Sequence, residues 1–199
     1  MTRRGEVSGM TARISTIVEE SIALKREFFR RSLVEVRRAV QMVVGTLKGG
    51  GKLLIFGNGG SAADAQHIAA EFVNKFMMKR DALPAIALTT DTSVLTSVAN
   101  DTDFSQVFSR QIEALGQEGD LAWGITTSGR SPNVVQGLIR AKQLGLKTLV
   151  LTGSDGGEVL KVADLSLLVP SRSTPRVQEV HIMIGHIICE LVEEELFAG

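Results

Sequence analysis

Cysteine is almost missing from this 199-residue chain: Cys189 stands alone, so no disulfide can form within it. It lies in the apolar run Ile187, Ile188, Leu191, the setting of a buried, inert thiol rather than of a nucleophile. Net charge is missing too. Twenty-two Lys and Arg balance 22 Asp and Glu, so no broad field steers the chain toward nucleic acid or an anionic membrane, although a local cationic pocket is still allowed. No uninterrupted apolar segment approaches the ~20 residues of a membrane-spanning helix. The opening residues lack the basic, apolar and small-residue succession of a secretory leader. The expectation is a soluble, cytoplasmic protein that binds neither nucleic acid nor membrane.

What is present is enough for a core: 44% of the residues are apolar, which argues against disorder over the whole chain. Residues 1–12 are small and polar, so a frayed, flexible N-terminus is expected there. From Ile14 to Leu47, Ile17, Val18, Phe28, Leu33, Val36, Val40 and Val43 recur at three- and four-residue steps, the pattern of a long helix. Its length suggests one break, expected near Ile22 to Lys25, and its apolar residues spread beyond one stripe, as helix packing between subunits would require. Gly49, Gly50 and Gly51 then end it.

Beyond the glycines the period changes. Short apolar runs at 53–56, 85–88, 121–125, 148–151 and 165–169 read as buried strands, and helical patterns occupy 62–78, 92–99, 104–115, 132–144, 157–162 and 175–196. Strands apolar on both faces and separated by helices imply a parallel sheet covered on both sides. The expected fold is an α/β three-layer sandwich, with a central parallel sheet of about five strands. It forms one domain over 13–199, including a helical arm at 13–48 and a C-terminal helix at 175–196.

In such sheets ligands gather where strands end and helices begin. Gly57-Asn58-Gly59-Gly60-Ser61 follows the first strand; glycines permit a sharp turn, Ser61 can cap the helix, and exposed N–H groups at a helix start favour an anion. It fits neither the dinucleotide spacing nor a Walker A loop, and alone it is as readily a plain tight turn. Thr126-Thr127-Ser128-Gly129-Arg130-Ser131-Pro132 is richer, with four hydroxyls and a proline suited to the first helical turn. Hydroxyls and amides of this kind can ring a phosphate, and Arg130 either adds charge or faces solvent. The similar Thr152–Gly157 segment reads as a βα turn with Asp155 as its cap.

Side chains able to move protons or hold a metal sit nearby in sequence. His67, Glu71 and Lys75 fall at four-residue steps on one helix face. Gln178, Glu179, His181 and His186 lie on the C-terminal helix, with Gln178 and His186 two turns apart. The spacing matches no short zinc signature, and a packed or surface histidine is an equally open reading. A carboxylate, an imidazole and a phosphate cradle are nevertheless the parts needed to move a sugar carbonyl through an enediol.

Four longer motifs carry a resemblance: GNGGSAADAQHIAAEF (57–72), LTTDTSVLTSVANDTDF (88–104), GITTSGRSPNV (124–134) and TPRVQEVHIMIGH (174–186). Together and in this order they are similar to the sugar isomerase (SIS) domain superfamily and, within it, to the phosphoheptose isomerase family. The resemblance implies conversion of D-sedoheptulose 7-phosphate to D-glycero-D-manno-heptose 7-phosphate, at the start of heptose supply for lipopolysaccharide or a related glycan. It implies a homotetramer with sites between subunits, and one zinc ion per subunit held by His67, Glu71, Gln178 and His186. Glu71 and His186 become the acid–base pair. Substrate contacts fall on Asn58, Gly59, Gly60, Glu71, Asn100, Asp101, Thr126, Thr127, Ser128, Ser131 and Gln178, with Ser61 beside them. Arg130 departs from the asparagine expected at its position. Two other branches of the superfamily stay open at this point: noncatalytic proteins that bind the replication initiator, in which the catalytic residues are incomplete, and sugar-phosphate sensor domains.

Overall fold

The structure, a computed structural model, describes residues 3–198, with side chains from residue 9 onward. Helix α1 (Arg3–Lys48) leads into β1 (Leu53–Gly57), α2 (Gly60–Val73), β2 (Ala85–Ala87), α3 (Thr92–Asp101), α4 (Val107–Leu115), β3 (Leu121–Thr126), α5 (Pro132–Gln143), β4 (Lys147–Gly153), β5 (Leu165–Val169) and α6 (Thr174–Phe197). Single 3-10 turns stand at Phe104–Gln106 and Glu158–Lys161, inside stretches expected to be helical.

The five strands form one parallel sheet in the order β2-β1-β3-β4-β5. Alternate residues of each inner strand feed opposite sides of it. Leu53, Ile55, Trp123, Leu149 and Leu151 pack with Val36, Val43, Ile68, Phe72, Ile184 and Ile188 from α1, α2 and α6. Leu54, Phe56, Ala122 and Val150 pack with Phe108, Ile112, Val134 and Leu138 from α4 and α5. Three layers follow, because strands buried on both faces need helices on both. The edge strand β5 buries Leu165, Leu167 and Val169 on the side of α1 and α6, while Ser166 and Leu168 on its other face are half-buried.

Three sequence expectations change. Helix α1 starts before Ile14, and its break lies at Ser32 (φ −123°, ψ 18°) rather than at 22–25. Phe28 and Val36, on either side of that break, are both buried, so the bend lets one long helix follow the core. Helix α2 stops at Val73, short of residue 78, which takes Lys75 off the face of His67 and Glu71. The cause is distant in sequence. Glu193 of α6 accepts the N–H groups of Phe76, Met77 and Met78 at 2.7–2.9 Å, donors that a continuing helix would spend on its own carbonyls.

The chain leaves β1 to one side for β2 and returns to the other side for β3. This reversal opens a crevice beyond the carboxyl ends of β1 and β3, the place where open parallel sheets bind ligands.

Candidate active site

The crevice is a cavity of about 320 Å³ lined by Asn58, Gly59, Gly60, Ser61, Ile125, Thr126, Thr127, Ser131, Thr174 and Gln178. Three helices begin at it: α2 at Gly60, α5 after its N-cap Ser131, and α6 at Thr174. Each start brings backbone amides and the positive end of a helix dipole to the cavity; at α2 the N–H groups of Ser61, Ala62 and Ala63 already bond to the Asn58 and Gly59 carbonyls. The lining carries no charged side chain, so its attraction for an anion rests on these amides and on hydroxyls.

Local contacts set the wall. Asn58 and Asn133 exchange amide hydrogen bonds of 2.8 Å in both directions, and Asn133 is buried. Thr126 and Ser131 bring their hydroxyls to 3.3 Å, and neither Ser131 nor Gly59 makes a side-chain cap bond to the helix it precedes. The expected capping role of Ser61 is therefore not found: Gly59 is the N-cap, and Ser61 is buried in the first turn. Gly60 lets Gln178 approach closely: a Cβ there would push the Gln178 amide, the end of a flexible side chain, from its present place. Gly129 takes φ +66° and meets the Gly156 carbonyl, so the loops after β3 and β4 touch backbone to backbone.

Arg130 does not line the cavity. Its guanidinium grips Asp155 through bonds of 2.8 and 2.7 Å, and that bond holds the Asp155 carboxyl down to about 2. Asp155 also accepts Gly157 N–H at 3.1 Å within the turn, but it is not the expected cap: Gly157 is the N-cap of the 3-10 turn that follows. Ser128 is likewise outside the lining, its hydroxyl accepting Arg130 N–H at 3.2 Å. Thr174 and Asn133, by contrast, belong to this site, although sequence reasoning had singled out neither.

Helices α2 and α6 start together at the cavity and pack side by side, Gly60 against Gln178 and His67 against His186. One atom each from His67, Glu71 and His186 lies within 4.8 Å of the other two. His67 Nε2 is 3.0 Å from His186 Nε2 and 3.1 Å from Glu71 Oε1. Ligands on a tetrahedral zinc with bonds of about 2.0–2.1 Å stand about 3.3 Å apart, so this donor set fits such an ion. Gln178, the fourth ligand implied by resemblance, turns its amide to Gly60. Burial holds His186 below the ordinary imidazole value; His67 adds to this and Glu71 opposes it. His186 is thereby neutral near pH 7, the form that accepts a proton or ligates a metal. Phe76 stacks on its ring, with centroids 5.4 Å apart. Asp64, one turn before His67, has a carboxyl pushed up to about 6 by burial against the pull of His67.

Three other expectations can be placed. Cys189 is fully buried and burial pushes its thiol up, away from nucleophilic use. His181 is buried and pairs with the Thr152 carbonyl at 3.2 Å. Asn100 and Asp101 are not brought to the crevice: both are exposed at the end of α3, bonded to each other at 2.8 Å. Asp101 lines a separate polar hollow with Arg110, Glu113 and Arg140.

Against this geometry, the SIS domain family model matches residues 17–153. The phosphoheptose isomerase of Thermodesulfovibrio yellowstonii is 50% identical over 93% of this chain and 92% of its own. The chain belongs to the phosphoheptose isomerase family of SIS-domain proteins. Another member, from Citrifermentans bemidjiense, is 57% identical over 81% of this chain and 84% of its own. Among solved structures, the phosphoheptose isomerase of Neisseria gonorrhoeae superposes with a TM-score of 0.88 at 40% identity, over 93% of this chain and 99% of that one. That of Francisella tularensis gives 0.90 at 38%, over 93% and 98%.

Proposed function

We propose that this phosphoheptose isomerase family member converts sedoheptulose 7-phosphate to D-glycero-D-manno-heptose 7-phosphate in the cytoplasm, the first step toward an activated heptose for lipopolysaccharide or a related glycan. The observation that carries this reading is the meeting of Glu71 and His186 on paired helices whose starts frame an anion-seeking cavity.

The phosphate sits against the three helix starts, with Ser61, Thr127 and Ser131 as hydroxyl donors and Ser128 contributing from the same loop. Asn58, Gly59, Gly60, Thr126 and Gln178 shape the wall along the sugar. Glu71 removes a proton from C1 of the open-chain ketose while His186, entering the step in its protonated imidazolium form, delivers one to the C2 oxygen, which leaves a 1,2-enediol. Glu71 then returns its proton to C2 and His186 takes the proton from the C1 oxygen, giving the aldose with both groups restored. His67, Glu71 and His186 would hold a zinc ion, with Gln178 as the expected fourth ligand. When bound, zinc would polarise the substrate oxygens and stabilise negative charge on them.

A homotetramer with sites shared between subunits completes the proposal. Asn100 and Asp101 are exposed and away from their own crevice, as residues serving a neighbour's site would be. Leu33 and Val34 on α1 are 64% and 67% exposed, and an apolar groove runs between α1 and α6, surfaces suited to subunit contact. The test is incubation of a panel of ketose phosphates with zinc-loaded and with chelated protein. The expected result is aldose formation from sedoheptulose 7-phosphate in preference to shorter ketoses, reduced by chelation. Turnover of another ketose alone would overturn the substrate, and no turnover of any would overturn the enzyme.

A further inference from the structure

We infer that Arg80 and Glu193 form a buried clamp that positions Glu71 and His186, with Phe76 as the pad it holds against the imidazole. The inference rests on the reading of Glu71 and His186 as the proton-transfer pair. Both clamp side chains are only 1% exposed, and Arg80 Nε donates to Glu193 Oε1 at 2.8 Å. Burying such a pair adds little net stability over an apolar pair of similar volume, so its contribution is sought in geometry.

Each end of the clamp reaches a different part of the site. Arg80 donates to the carbonyl of Glu71 at 2.7 Å and to that of Phe72 at 2.8 Å. These carbonyls lie in the last turn of α2, where the helix itself offers no donor. The guanidinium thus fixes the backbone that carries Glu71. Glu193 accepts three successive N–H groups, those of Phe76, Met77 and Met78, and so sets where the Phe76 ring lies. That ring covers His186 at an interplanar angle of 29°. Glu193 is seven residues beyond His186 on α6, two turns along the same face. One ion pair therefore ties together the helix of the carboxylate, the helix of the imidazole and the ring between loop and imidazole. Arg80 and Glu193 are positioning residues: neither is in the cavity lining or the cluster of His67, Glu71 and His186.

The test compares Arg80→Lys, Glu193→Gln and Phe76→Leu with the unaltered protein, using sedoheptulose 7-phosphate turnover and the ring resonances of histidine-labelled protein. The chain has only three histidines, so His186 can be followed. Expected is a fall in kcat of about 10-fold or more with KM little changed, as misplaced reacting groups give, and a His186 shift in the clamp variants toward that of Phe76→Leu. Folded clamp variants with unaltered kcat and an unmoved His186 would overturn the clamp. If the clamp variants fail to fold, Phe76→Leu decides, and its unaltered kcat would overturn the inference. If the unaltered protein turns over no ketose phosphate, the proposed function falls and the clamp is judged on the His186 resonances alone.

Discussion

At the residue scale the cavity lining holds no formal positive charge; in the proposed function, amides at three helix starts and the hydroxyls of Thr127 and Ser131 take its place. A hydrogen bond to a charged group contributes about 1.5–3 kcal/mol, so Ser131→Ala is expected to raise KM by roughly 10-fold or more with less effect on kcat, read from initial rates. Arg130 makes the opposite prediction. Its guanidinium is spent on Asp155, away from the lining, so Arg130→Asn is expected to leave kcat and KM within about 2-fold, as surface changes do. A large rise in KM would show that the side chain swings to the phosphate. The sequence left Arg130 between pocket and solvent because its partner lies 25 residues away in a segment read only as a turn.

At the element scale, α6 carries the most. It begins at the cavity, supplies Gln178 and His186, and ends the helix opposite it through Glu193. His181, inside it, couples stability to pH. Burial holds this imidazole down to about 4 against an ordinary 6.5. Below pH 6.5 the unfolded chain takes up a proton that the folded chain refuses, so stability is lost as pH falls toward 4. About 2.5 units correspond to about 3 kcal/mol over that window. His181→Gln is expected to flatten this part of the stability profile, measured as urea midpoints at pH 7 and pH 5; an unchanged profile would place the proton uptake elsewhere. Periodicity made these elements legible, since the strand runs and helix faces are local properties of the sequence. The early end of α2 was not, because Glu193 lies 115 residues from Met78. The bend of α1 at Ser32 was misplaced for a similar reason: it is set by the core the helix wraps.

At the scale of the whole molecule, the parallel sheet and its reversal between β1 and β3 decide which loops meet. The motifs at 57–61 and 126–131 were readable as anion loops, and the topology joins them. The convergence of His67, Glu71 and His186 was open to resemblance but not to spacing, because their helices are brought side by side by packing. Asn100 and Asp101 remain outside the crevice, and the proposed sharing of sites between subunits would account for them. Mixing Glu71→Gln protein with Asp101→Ala protein, then dissociating and reassembling them, is expected to restore turnover above either parent, because some mixed sites receive both intact residues. No recovery in assembled mixed oligomers would place Asp101 outside a partner's site.

The most direct measurement is single-turnover conversion of sedoheptulose 7-phosphate in deuterated water by Glu71→Gln and unaltered protein, with oligomeric state followed in parallel. The account predicts that Glu71 of the unaltered enzyme carries the C1 proton to C2 of the aldose, with deuterium at C2 only as far as its carboxyl exchanges with solvent while the enediol lasts. It predicts conversion slowed by about 100-fold or more, the scale of a lost proton-transfer group, in the assembled variant. Near-normal conversion by Glu71→Gln would contradict it.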